Sequence, residues 1–436
     1  MSDVVSAAER TFDQRIATRE ATLGIVGLGY AGLPLAMTFA EAGFDVVGID
    51  ISEDRVEAIR QGRSYLVDVP GERYERLDGR LEATSDYGAV SGLDALTICV
   101  PTPLSKTRTP DLSHVVSAVE SVAENLSPGQ LVLLQSTTYP GTTEEIVLPI
   151  LERSGLTAGR DFFLGYAPER VDPGNERYTI HNTPKLVAGV TEECRRRTEL
   201  LYRQIVDVVI PVSSTMVAET AKLHENTFRA VNIALANELA LMCSRLGISV
   251  WEVIEAASTK PFGFLPHYPG PGLGGDCIPV VPHFLAWRLR EYGYSAQLIE
   301  AAHEVNAQMP VFVVHKVADA LNDARRPVNG SRVLLLGMAY KPNVHDTRES
   351  PSLEVMRQLL ERHAEVRYCD PWVDEIELDG VRHVGVEWSL ERLREADCVV
   401  VLTAHRRFRE EPLWEHAPLI VDTRNVVPEA PNVQRL

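Results

Sequence analysis

The stretch Gly27-Leu28-Gly29-Tyr30-Ala31-Gly32 restricts the fold of this chain more than any other feature. It follows the apolar run Ala21 to Val26, which has the pattern of a buried strand, and it precedes a helical stretch from Pro34 to Ala42. Three glycines between a strand and a helix permit a tight turn in which the backbone can approach a ligand closely. The pattern predicts a strand, a turn and a helix that begin a domain near residue 21.

An acidic residue at the end of the next predicted strand indicates which ligand this turn binds. Asp50 follows the run Phe44 to Ile49, at the position where a carboxylate binds a ribose 2′-hydroxyl and repels a 2′-phosphate. The turn therefore predicts a dinucleotide site that prefers NAD to NADP, and the alternative is a structural glycine turn. The predicted NAD-binding residues are Gly27, Gly29, Tyr30, Ala31, Gly32, Asp50, Arg55, Pro101, Thr102, Ser136 and Thr137.

Further apolar runs continue the alternation of strands and helices. They cover Ala95 to Val100, Leu131 to Leu134 and Leu186 to Val190, with helix-like segments between them. This rhythm is typical of a parallel, doubly wound sheet. We expect a first domain over residues 1–212, with a short leading helix within residues 1–20.

A long helix is predicted from Ser213 to about Leu246, because this stretch contains neither glycine nor proline. Its length would be roughly 50 Å, and helices of that length usually cross a domain or subunit boundary. After a Gly- and Pro-rich segment from Pro261 to Pro282, helical patterning resumes from His283 to about Asp323. These features predict a central helical domain over residues 213–326.

A second alternation of strands and helices begins at Arg332-Val333-Leu334-Leu335-Leu336-Gly337 and ends at Leu419-Ile420-Val421. It predicts a smaller Rossmann-like domain over residues 327–436, without a second Gly-x-Gly-x-x-Gly and hence without a dinucleotide. The predicted fold class is α/β. Two Rossmann-like doubly wound domains are joined by a long central helix and a helical dimerisation region.

Composition excludes several other classes of protein. The formal net charge of −18 argues against a surface for nucleic acid or an anionic membrane. Six cysteines without paired metal-ligand spacing, and without a preceding signal peptide, indicate reduced thiols and no metal site. No apolar run approaches the ~20 residues of a membrane span. We therefore expect a cytoplasmic protein.

Polar residues follow three of the predicted strands, among them the run Phe162 to Gly165, at the edge where open sheets bind ligands. They lie in Val100-Pro101-Thr102-Pro103, in Ser136-Thr137-Thr138-Tyr139-Pro140-Gly141 and in Ala167-Pro168-Glu169-Arg170. The first two segments can also be read as ordinary turns. A glutamate at such an edge can activate water, and the alternative is a surface ion pair between Glu169 and Arg170.

Lys222 and Asn226 share a face of the long helix, where an ammonium and an amide can both point at an oxyanion. The alternative is a solvated pair. Cys277 lies in the loop Gly274-Gly275-Asp276-Cys277-Ile278-Pro279. Beside a nicotinamide, its thiolate can capture an aldehyde as a thiohemiacetal, which is then oxidised to a thioester. The alternative is a buried structural cysteine.

The C-terminal domain carries two cations just after its first strand. Lys341 and Arg348 lie in the loop that precedes the helix from Ser352 to Arg362. Both side chains can pair with phosphate oxygens. The alternative is a solvated charged loop.

Taken in order, these motifs resemble the UDP-glucose/GDP-mannose dehydrogenase family from about residue 20 to 425. The stretch Thr259 to Phe264, with Pro269-Gly270-Pro271-Gly272, is most similar to the branch that acts on UDP-N-acetylhexosamines. The matches are Gly27 to Gly32, Val100 to Pro103, Ser136-Thr137, Pro168-Glu169-Arg170, Lys222 with Asn226, Gly274-Gly275-x-Cys277, and Lys341 with Arg348.

The resemblance implies an NAD-dependent enzyme that oxidises the 6-CH2OH of a nucleotide sugar to a carboxylate and reduces two NAD. It implies that Cys277 is the nucleophile, that Lys222 and Asn226 stabilise the oxyanion, and that Glu169 activates the hydrolytic water near Thr137. It also implies a homodimer whose core is the long helix. The expected substrate-binding residues are Glu169, Arg170, Lys222, Asn226, Tyr268, Gly272, Gly274, Lys341 and Arg348.

Two positions depart from the family pattern. Val281 stands where the family has Asp four residues after the nucleophile, so a carboxylate for proton handling or water binding is missing. Asp276 stands where the N-acetylhexosamine branch has His, and its charge would raise the pKa of the Cys277 thiol if both side chains face the site. These changes leave dTDP-glucose or another nucleotide sugar as alternative substrates.

Three alternative classes of protein differ from such an enzyme in features of the sequence. A dehydrogenase of the 6-phosphogluconate or hydroxyacid type would oxidise once and would need neither Cys277 nor a nucleotide-binding third domain. An inactive nucleotide-sugar sensor would be consistent with Val281. A short-chain epimerase or dehydratase is disfavoured, because no tyrosine in the chain has a lysine four residues later.

Overall fold

The computed structural model describes residues 11–436, except residues 67, 68, 106, 107, 173, 174, 176, 276 and 411. The chain divides into two compact units. The first extends to Glu225 and includes His283–Tyr292, and the second comprises Asn226–Pro282 and Gly293–Leu436. The predicted division into three functional domains is a separate question and stays a prediction.

The first unit contains an eight-stranded sheet. Its strands are β1 (Thr22–Val26), β2 (Asp45–Ile49), β3 (Leu81–Thr84), β4 (Ala95–Ile98), β5 (Leu131–Leu134), β6 (Phe163–Tyr166), β7 (Lys185–Gly189) and β8 (Val209–Pro211). The order across the sheet is β3-β2-β1-β4-β5-β6-β7-β8. The sheet is parallel except between β6 and β7, which pair antiparallel. The sequence did not predict that reversal, nor the short strands β3 and β8, which have few buried residues.

Helices cover both faces of this sheet. Leu131 and Leu133 of β5 belong to one apolar cluster, whereas Val132 and Leu134 belong to another, as expected when successive side chains point to opposite faces. The doubly wound prediction is therefore confirmed. The helices before the long one are α1 (Phe12–Thr18), α2 (Gly32–Glu41), α3 (Glu53–Arg60), α4 (Glu72–Glu75), α5 (Ser113–Glu124), α6 (Leu148–Leu151) and α7 (Glu192–Tyr202). Short 3-10 helices lie at Tyr87–Gly92 and Glu152–Ser154, and a short π-helix lies at Thr143–Val147.

The predicted long helix is confirmed as α8 (Thr215–Leu246), with 32 residues. It ends at Gly247, whose φ of 68° is the left-handed conformation that favours glycine. The N–H of Ile248 then donates to the carbonyl of Cys243 at 3.1 Å, which closes the last turn. The boundary between the two compact units falls within α8.

The helical patterning predicted as one stretch from His283 to Asp323 proves to be two helices. They are α10 (Val281–Arg290) and α11 (Gln297–Asp323), and α9 (Val250–Ser258) precedes them. Gly293 separates α10 from α11 with a φ of 69°. A left-handed residue cannot continue a right-handed helix, so the single-stretch prediction is wrong at this point.

The second unit contains a smaller, fully parallel sheet in the order β10-β9-β13-β14-β15, together with the antiparallel pair β11 and β12. The fifth strand, β15, lies beyond the predicted end of the alternation. The strands are β9 (Arg332–Leu336), β10 (Glu365–Cys369), β11 (Glu375–Leu378), β12 (Val381–Val384), β13 (Cys398–Val401), β14 (Ile420–Asp422) and β15 (Val433–Arg435). The helices are α12 (Pro351–Glu361), α13 (Leu390–Glu395), α14 (Arg406–Glu410) and α15 (Leu413–His416).

The two sheets share a local backbone arrangement after their first strand in chain order. After β1, Asp50 Oδ2 accepts a hydrogen bond from the N–H of Leu28 at 2.7 Å. After β9, Asp370 Oδ2 accepts one from the N–H of Met338 at 2.6 Å. Each sheet thus has an aspartate at the end of the neighbouring strand that fixes the turn leading into the next segment. The predicted α/β fold class, with two such sheets and a long helix, is confirmed.

We expect Leu336→Ala to destabilise the second unit by about 2–5 kcal/mol, because this β9 side chain is fully buried and its truncation leaves a cavity. Leu298→Ala makes the same chemical change at a site in α11 that is 68% exposed, and should cost less than about 0.5 kcal/mol. The free energy of unfolding from urea denaturation compares the two. Equal losses would contradict the assignment of the core.

Candidate active site

The turn after β1 requires glycine at two positions. Gly27 has a φ of 89°, and its N–H donates to the carbonyl of Ile49 at 2.7 Å. A Cβ atom on Gly32 would lie 1.8 Å from the carbonyl oxygen of Gly27. No side chain fits into such a contact, so Gly32 lets the start of α2 pack onto the turn.

The same turn fits a dinucleotide pyrophosphate. A Cβ atom on Gly29 would meet no protein atom within 4 Å, so the backbone there is open to a ligand. The start of α2 has no side-chain cap, which leaves the N–H of Gly32 and the positive end of the helix dipole for an anion. Tyr30, the next residue, is 43% exposed.

Asp50 is buried at the edge of this turn and is held by three hydrogen bonds. Oδ2 accepts from the N–H of Leu28 at 2.7 Å and from Arg55 Nη1 at 3.1 Å, while Oδ1 accepts from the N–H of Ser52 at 2.9 Å. A carboxylate has about four acceptor positions, so one remains for a ribose hydroxyl. Asp50 therefore fixes the turn as well as being a candidate ribose ligand.

The segments after β4 and β5 are joined by two hydrogen bonds. Thr102 Oγ1 donates to the carbonyl of Thr137 at 2.7 Å, and Ser136 Oγ donates to the carbonyl of Val100 at 2.7 Å. Pro101 is exposed between them, and Thr137 is half-buried. The structure thus brings together the predicted residues of these two segments.

Glu169 follows β6, and its side chain, which is 20% exposed, lies in a polar cluster. Its Oε1 accepts from the backbone N–H groups of Arg170 and Val171, both at 2.8 Å. Its Oε2 accepts from Gln135 Nε2 at 2.9 Å and from Lys185 Nζ at 3.2 Å. Every acceptor position of this carboxylate is therefore occupied by a donor of the protein.

The alternative of an ion pair between the side chains of Glu169 and Arg170 does not hold. The guanidinium of Arg170 instead pairs with Glu225, with a distance of 2.7 Å between Nη2 and Oε1. Burial alone would raise the pKa of Glu169, but the charges of Lys185 and Lys222 and the N–H of Val171 outweigh it and lower the pKa. Glu169 is accordingly an ionised carboxylate at neutral pH.

Lys222 and Asn226 lie one turn apart on α8, and each is 8% exposed. They are therefore not a solvated pair. The Nδ2 atom of Asn226 is buried and has no hydrogen-bond acceptor among the described residues. Buried donors in folded proteins almost always have a partner, so an unsatisfied amide here points to an acceptor supplied by a ligand.

In the second unit, Cys277 is exposed, whereas the other five cysteines are buried. The alternative of a buried structural cysteine is therefore wrong. The N–H of Gly275 donates to the carbonyl of Arg348 at 2.9 Å. A Cβ atom on Gly274 would lie 2.6 Å from Tyr340 Cβ, so glycine is needed where the cysteine loop packs against the segment that carries Lys341 and Arg348.

The predicted substrate residues of the second unit lie in different surroundings. Gly272 has a φ of 134°, and a Cβ there would come within 3.1 Å of Pro351. Arg348 is half-exposed and pairs with Asp346 at 2.6 Å. Tyr268 is half-exposed and stacks on Trp251 with a ring-centroid distance of 6.0 Å.

The structure describes one of the two positions that depart from the family pattern. Val281 is the first residue of α10, is 2% exposed, and donates its N–H to the carbonyl of Cys277 at 2.9 Å. An apolar side chain is accommodated there without loss of the helix start. Asp276 lies outside the described residues.

Four polar residues near these positions were missed by the sequence analysis. Gln135, Lys185 and Tyr202 surround Glu169, and only Gln135 had a signal, since it directly follows a predicted strand. Arg424 follows β14 and donates Nε to the carbonyl of Leu402 at 2.8 Å. Burial lowers the pKa of Arg424 to about 10. Its position after a short strand was the available signal.

No helix among the described residues is long and apolar enough to cross a membrane. Within the same part of the chain, no group of three or more His, Cys, Asp or Glu residues is arranged to hold a metal ion.

An open glycine turn at an uncapped helix, after the first strand of a largely parallel sheet, defines a dinucleotide-dependent enzyme of the Rossmann class. Three family models then identify the chain more closely. The NAD binding domain of the UDP-glucose/GDP-mannose dehydrogenase family matches residues 21–206, the central domain residues 216–308 and the UDP binding domain residues 334–429. The chain belongs to this family. It is an NAD-dependent nucleotide-sugar dehydrogenase, as its motifs predicted.

Similar proteins cover almost the whole chain. The UDP-N-acetyl-D-mannosamine dehydrogenase of Pyrococcus horikoshii is 37% identical over 94% of this chain and 96% of its own length. The UDP-N-acetyl-D-glucosamine 6-dehydrogenase of Pseudomonas aeruginosa is 36% identical over 90% of this chain and 92% of its own. The solved structure of a UDP-D-ManNAc dehydrogenase from Pyrococcus horikoshii superposes with a TM-score of 0.87, at 35% identity, over 95% of this chain and 98% of that one.

Two glycine variants should distinguish a glycine that is needed for packing of the turn from one that is needed for access of the ligand. Gly32→Ala brings a methyl group against the Gly27 carbonyl, and should lower both NAD affinity and the free energy of unfolding, the latter by about 1–3 kcal/mol. Gly29→Ala meets no protein atom, so it should leave stability within about 0.5 kcal/mol and still weaken NAD binding about tenfold or more. Calorimetric titration with NAD and urea denaturation give the two quantities. Undiminished NAD binding by Gly29→Ala would contradict the assigned site.

Proposed function

We propose that this dehydrogenase oxidises the 6-CH2OH of a UDP-N-acetylhexosamine, or of UDP-glucose, to the 6-carboxylate. The substrate class is supported by the two relatives at 37% and 36% identity, which are dehydrogenases of UDP-N-acetylmannosamine and UDP-N-acetylglucosamine. Oxidation of an alcohol to a carboxylate removes four electrons, so two NAD are reduced for each sugar. We assign NAD binding to residues 1–212, nucleotide-sugar binding to residues 327–436, and the catalytic loop and dimer interface to residues 213–326.

The observation that carries this proposal is the exposure of Cys277. It is the exposed member of six cysteines, and it stands on a glycine-rich loop whose backbone is bonded to Arg348 in the part of the chain assigned to the nucleotide sugar. A thiol with no structural role in a core is suited to covalent chemistry.

The proposed reaction has three stages on the sugar carbon. The alcohol is first oxidised to an aldehyde, with Thr137 near the reacting hydroxyl. The thiolate of Cys277 adds to the aldehyde carbon to form a thiohemiacetal, and the second oxidation converts this adduct to a thioester. Water then cleaves the C–S bond, with Glu169 as the base, and releases the carboxylate and the thiolate.

NAD, when bound, supplies the electron acceptor for both oxidations. The protein's own contribution on that side is a turn that leaves its backbone open at Gly29, with Asp50 as the candidate ribose ligand. We assign cofactor contacts to Gly27, Gly29, Tyr30, Ala31, Gly32, Asp50, Arg55, Pro101, Thr102, Ser136 and Thr137.

Lys222 and Asn226 are proposed to stabilise the oxyanion of the thiohemiacetal. Both side chains are buried, so their hydrogen bonds are not weakened by competing water. The unsatisfied Nδ2 of Asn226 is the donor that an oxyanion would satisfy. The further substrate contacts are assigned to Glu169, Arg170, Tyr268, Gly272, Gly274, Lys341 and Arg348.

Val281 favours a second candidate substrate. A buried valine at this position offers no proton acceptor, which is why we assign water activation to Glu169 alone. The same change is consistent with a branch of the family that oxidises dTDP-glucose or another nucleotide sugar. A dehydrogenase that oxidises only once, and an inactive nucleotide-sugar-binding homologue, are the remaining candidates.

We also propose a homodimer assembled through α8. Four exposed apolar side chains, Phe228, Leu235, Met242 and Leu246, recur at spacings of seven, seven and four residues. At 3.6 residues per turn these spacings place them in one stripe along the helix. An apolar stripe on the outside of a long helix is the pattern of a helix-to-helix interface.

We expect Cys277→Ala to abolish carboxylate formation and to leave the NAD dissociation constant within about twofold, because the side chain takes part in chemistry and not in the NAD turn. Product analysis by mass spectrometry and calorimetric titration measure the two effects. Wild-type turnover by this variant would remove the thioester mechanism.

A labelling control fixes which thiol is lost. A water-soluble maleimide should modify about one cysteine per native wild-type chain, since the other five are buried, and none in Cys277→Ala. Modification of the wild type should be slowed by bound nucleotide sugar. Equal labelling of the wild type and the variant would show that another cysteine is the reactive one.

Leu235→Glu should dissociate the dimer, because it puts a charge at the centre of the apolar stripe. Light scattering after gel filtration should give about twice the 48.3 kDa chain mass for the wild type and about one chain mass for the variant. Ser244→Glu adds the same charge at an exposed position on the opposite side of α8 and should stay dimeric. A dimeric Leu235→Glu variant would place the interface elsewhere.

A further inference from the structure

Lys185, the first residue of β7, is a buried lysine that the mechanism above does not use. It is 5% exposed, and its Nζ lies 3.1 Å from Gln135 Oε1 and 3.2 Å from Glu169 Oε2. The same ammonium lies 5.0 Å from the centre of the Tyr202 ring. Lysine is rarely buried without a specific partner, so this placement calls for a reason.

The antiparallel pairing of β6 and β7 brings this lysine to Glu169. In that pairing Gly165 is opposite Gly189, and Tyr166 is opposite Ala188. The same register, continued three residues past the end of β6, sets position 169 opposite position 185. A parallel β7 would point Lys185 to the other edge of the sheet, so the strand reversal is what creates the contact.

Burial makes the charge of each partner depend on the other. The side chain of Lys185 is 6% exposed and that of Glu169 is 20% exposed, so both charges have lost most of their hydration, and removal of one partner leaves the other uncompensated. Burial lowers the pKa of Lys185 even though the Glu169 charge opposes that shift. The two groups therefore act as one unit, and the ammonium is the nearest charge that keeps the carboxylate ionised.

We propose that Lys185 is a positioning residue for Glu169. The buried ammonium of Lys185 holds this carboxylate in its ionised form, and it then releases Oε2 so that this oxygen can accept a hydrogen bond from the hydrolytic water. The inference deepens the proposed function and rests on it. Lys185 lies outside the motifs that carry the resemblance to the family, and the step it would control is the cleavage of the thioester.

Of the four groups that donate hydrogen bonds to Glu169, Lys185 is the one that can release the carboxylate. The donors to Oε1 are backbone N–H groups fixed by the loop after β6. Of the two donors to Oε2, Lys185 Nζ has the longer bond, and it has a second acceptor in Gln135 Oε1. Lys185 can therefore release Glu169 Oε2 and keep Gln135 as its partner. One acceptor position on Oε2 then becomes available to a water.

Hydrolysis of the thioester needs no oxidant. Water oxygen adds to the thioester carbon as one water proton passes to Glu169 Oε2, and the C–S bond breaks with its electron pair left on Cys277 Sγ. The products are the sugar carboxylic acid, which ionises, and the thiolate. No electrons leave or enter the substrate in this step.

Among the described residues, four titratable groups face Glu169 from the elements packed around it. They are Lys185 on β7, Lys222 on α8, Tyr202 on α7 and Cys99 after β4. Burial raises the pKa of Cys99 to about 12 and that of Tyr202 well above its ordinary value, so both are neutral near pH 7. The two ammonium groups are thus the charges that oppose protonation of Glu169.

The test is Lys185→Met in the full-length enzyme, with UDP-N-acetylglucosamine, UDP-N-acetylmannosamine and UDP-glucose as probes. Loss of the ammonium raises the pKa of Glu169, so the ionised base is lost at higher pH than in the wild type. We expect the apparent pKa of the acid limb of the pH–rate profile to rise by about one unit or more. Turnover at pH values below that pKa should then fall about tenfold relative to the wild type. An acyl adduct on Cys277 should accumulate in acid-quenched enzyme, measured by intact-mass spectrometry.

Two variants separate this role from a structural one. Lys185→Arg keeps a cation and should restore most of the wild-type acid limb. Tyr202→Phe removes a hydrogen bond to Gln135 in the same cluster without removing a charge, and should leave the acid limb in place. If Lys185→Met gives no folded protein, Lys185→Gln replaces it.

The outcomes separate the inference from the function on which it rests. An unchanged acid limb with no adduct in a variant that still makes carboxylate overturns the role of Lys185 alone. Loss of the oxidation steps together with the adduct also overturns it, because a positioning residue for hydrolysis leaves thioester formation intact. A wild-type enzyme that forms no carboxylate with any probe counts against the proposed function instead.

Discussion

Parallel strand pairing is the constraint on which the arrangement of this protein depends. Because β1, β4, β5 and β6 run in one direction, their carboxyl ends lie on the same edge of the first sheet. The glycine turn, Thr102, Thr137 and Glu169 each follow one of these strands, and hydrogen bonds join the segments after β4, β5 and β6. The reversal at β7 brings Lys185 to Glu169 from the opposite direction, with 3.2 Å between Nζ and Oε2.

The second sheet uses the same local geometry for a different purpose. Gly337 after β9 has a φ of 96°, close to the 89° of Gly27, and Asp370 accepts the turn's N–H groups as Asp50 does in the first sheet. The turn after β9 is closed, however, by His405, which is fully buried. Its Nδ1 accepts from the N–H of Asn343 at 3.0 Å, and its Nε2 lies 3.1 Å from Asp370 Oδ2. Protein groups thus fill part of the space that Gly29 leaves open in the first sheet.

The features that the sequence predicted are those set by local pattern. The strand runs, the glycine turn and the breaker-free helix α8 depend on neighbours within a few residues, and the structure confirms them. The helix break at Gly293 and the strand β15 were missed because their signals are single residues or half-exposed strands. The partner of Glu169 could not be predicted from spacing, because it depends on a strand reversal, and the sequence pattern of β7 is compatible with either direction. The catalytic and binding roles themselves rest on the family motifs and stay predictions.

The measurement that tests the account most directly is the number of NADH formed for each nucleotide sugar consumed by the wild-type enzyme. UDP-glucose, UDP-N-acetylglucosamine, UDP-N-acetylmannosamine and dTDP-glucose are assayed in parallel, with the product identified by mass spectrometry. We predict two NADH and one uronic acid for a UDP-N-acetylhexosamine or UDP-glucose. One NADH with an aldehyde product would contradict the thioester route, and two NADH from dTDP-glucose alone would contradict the substrate class while leaving the chemistry of Cys277 in place.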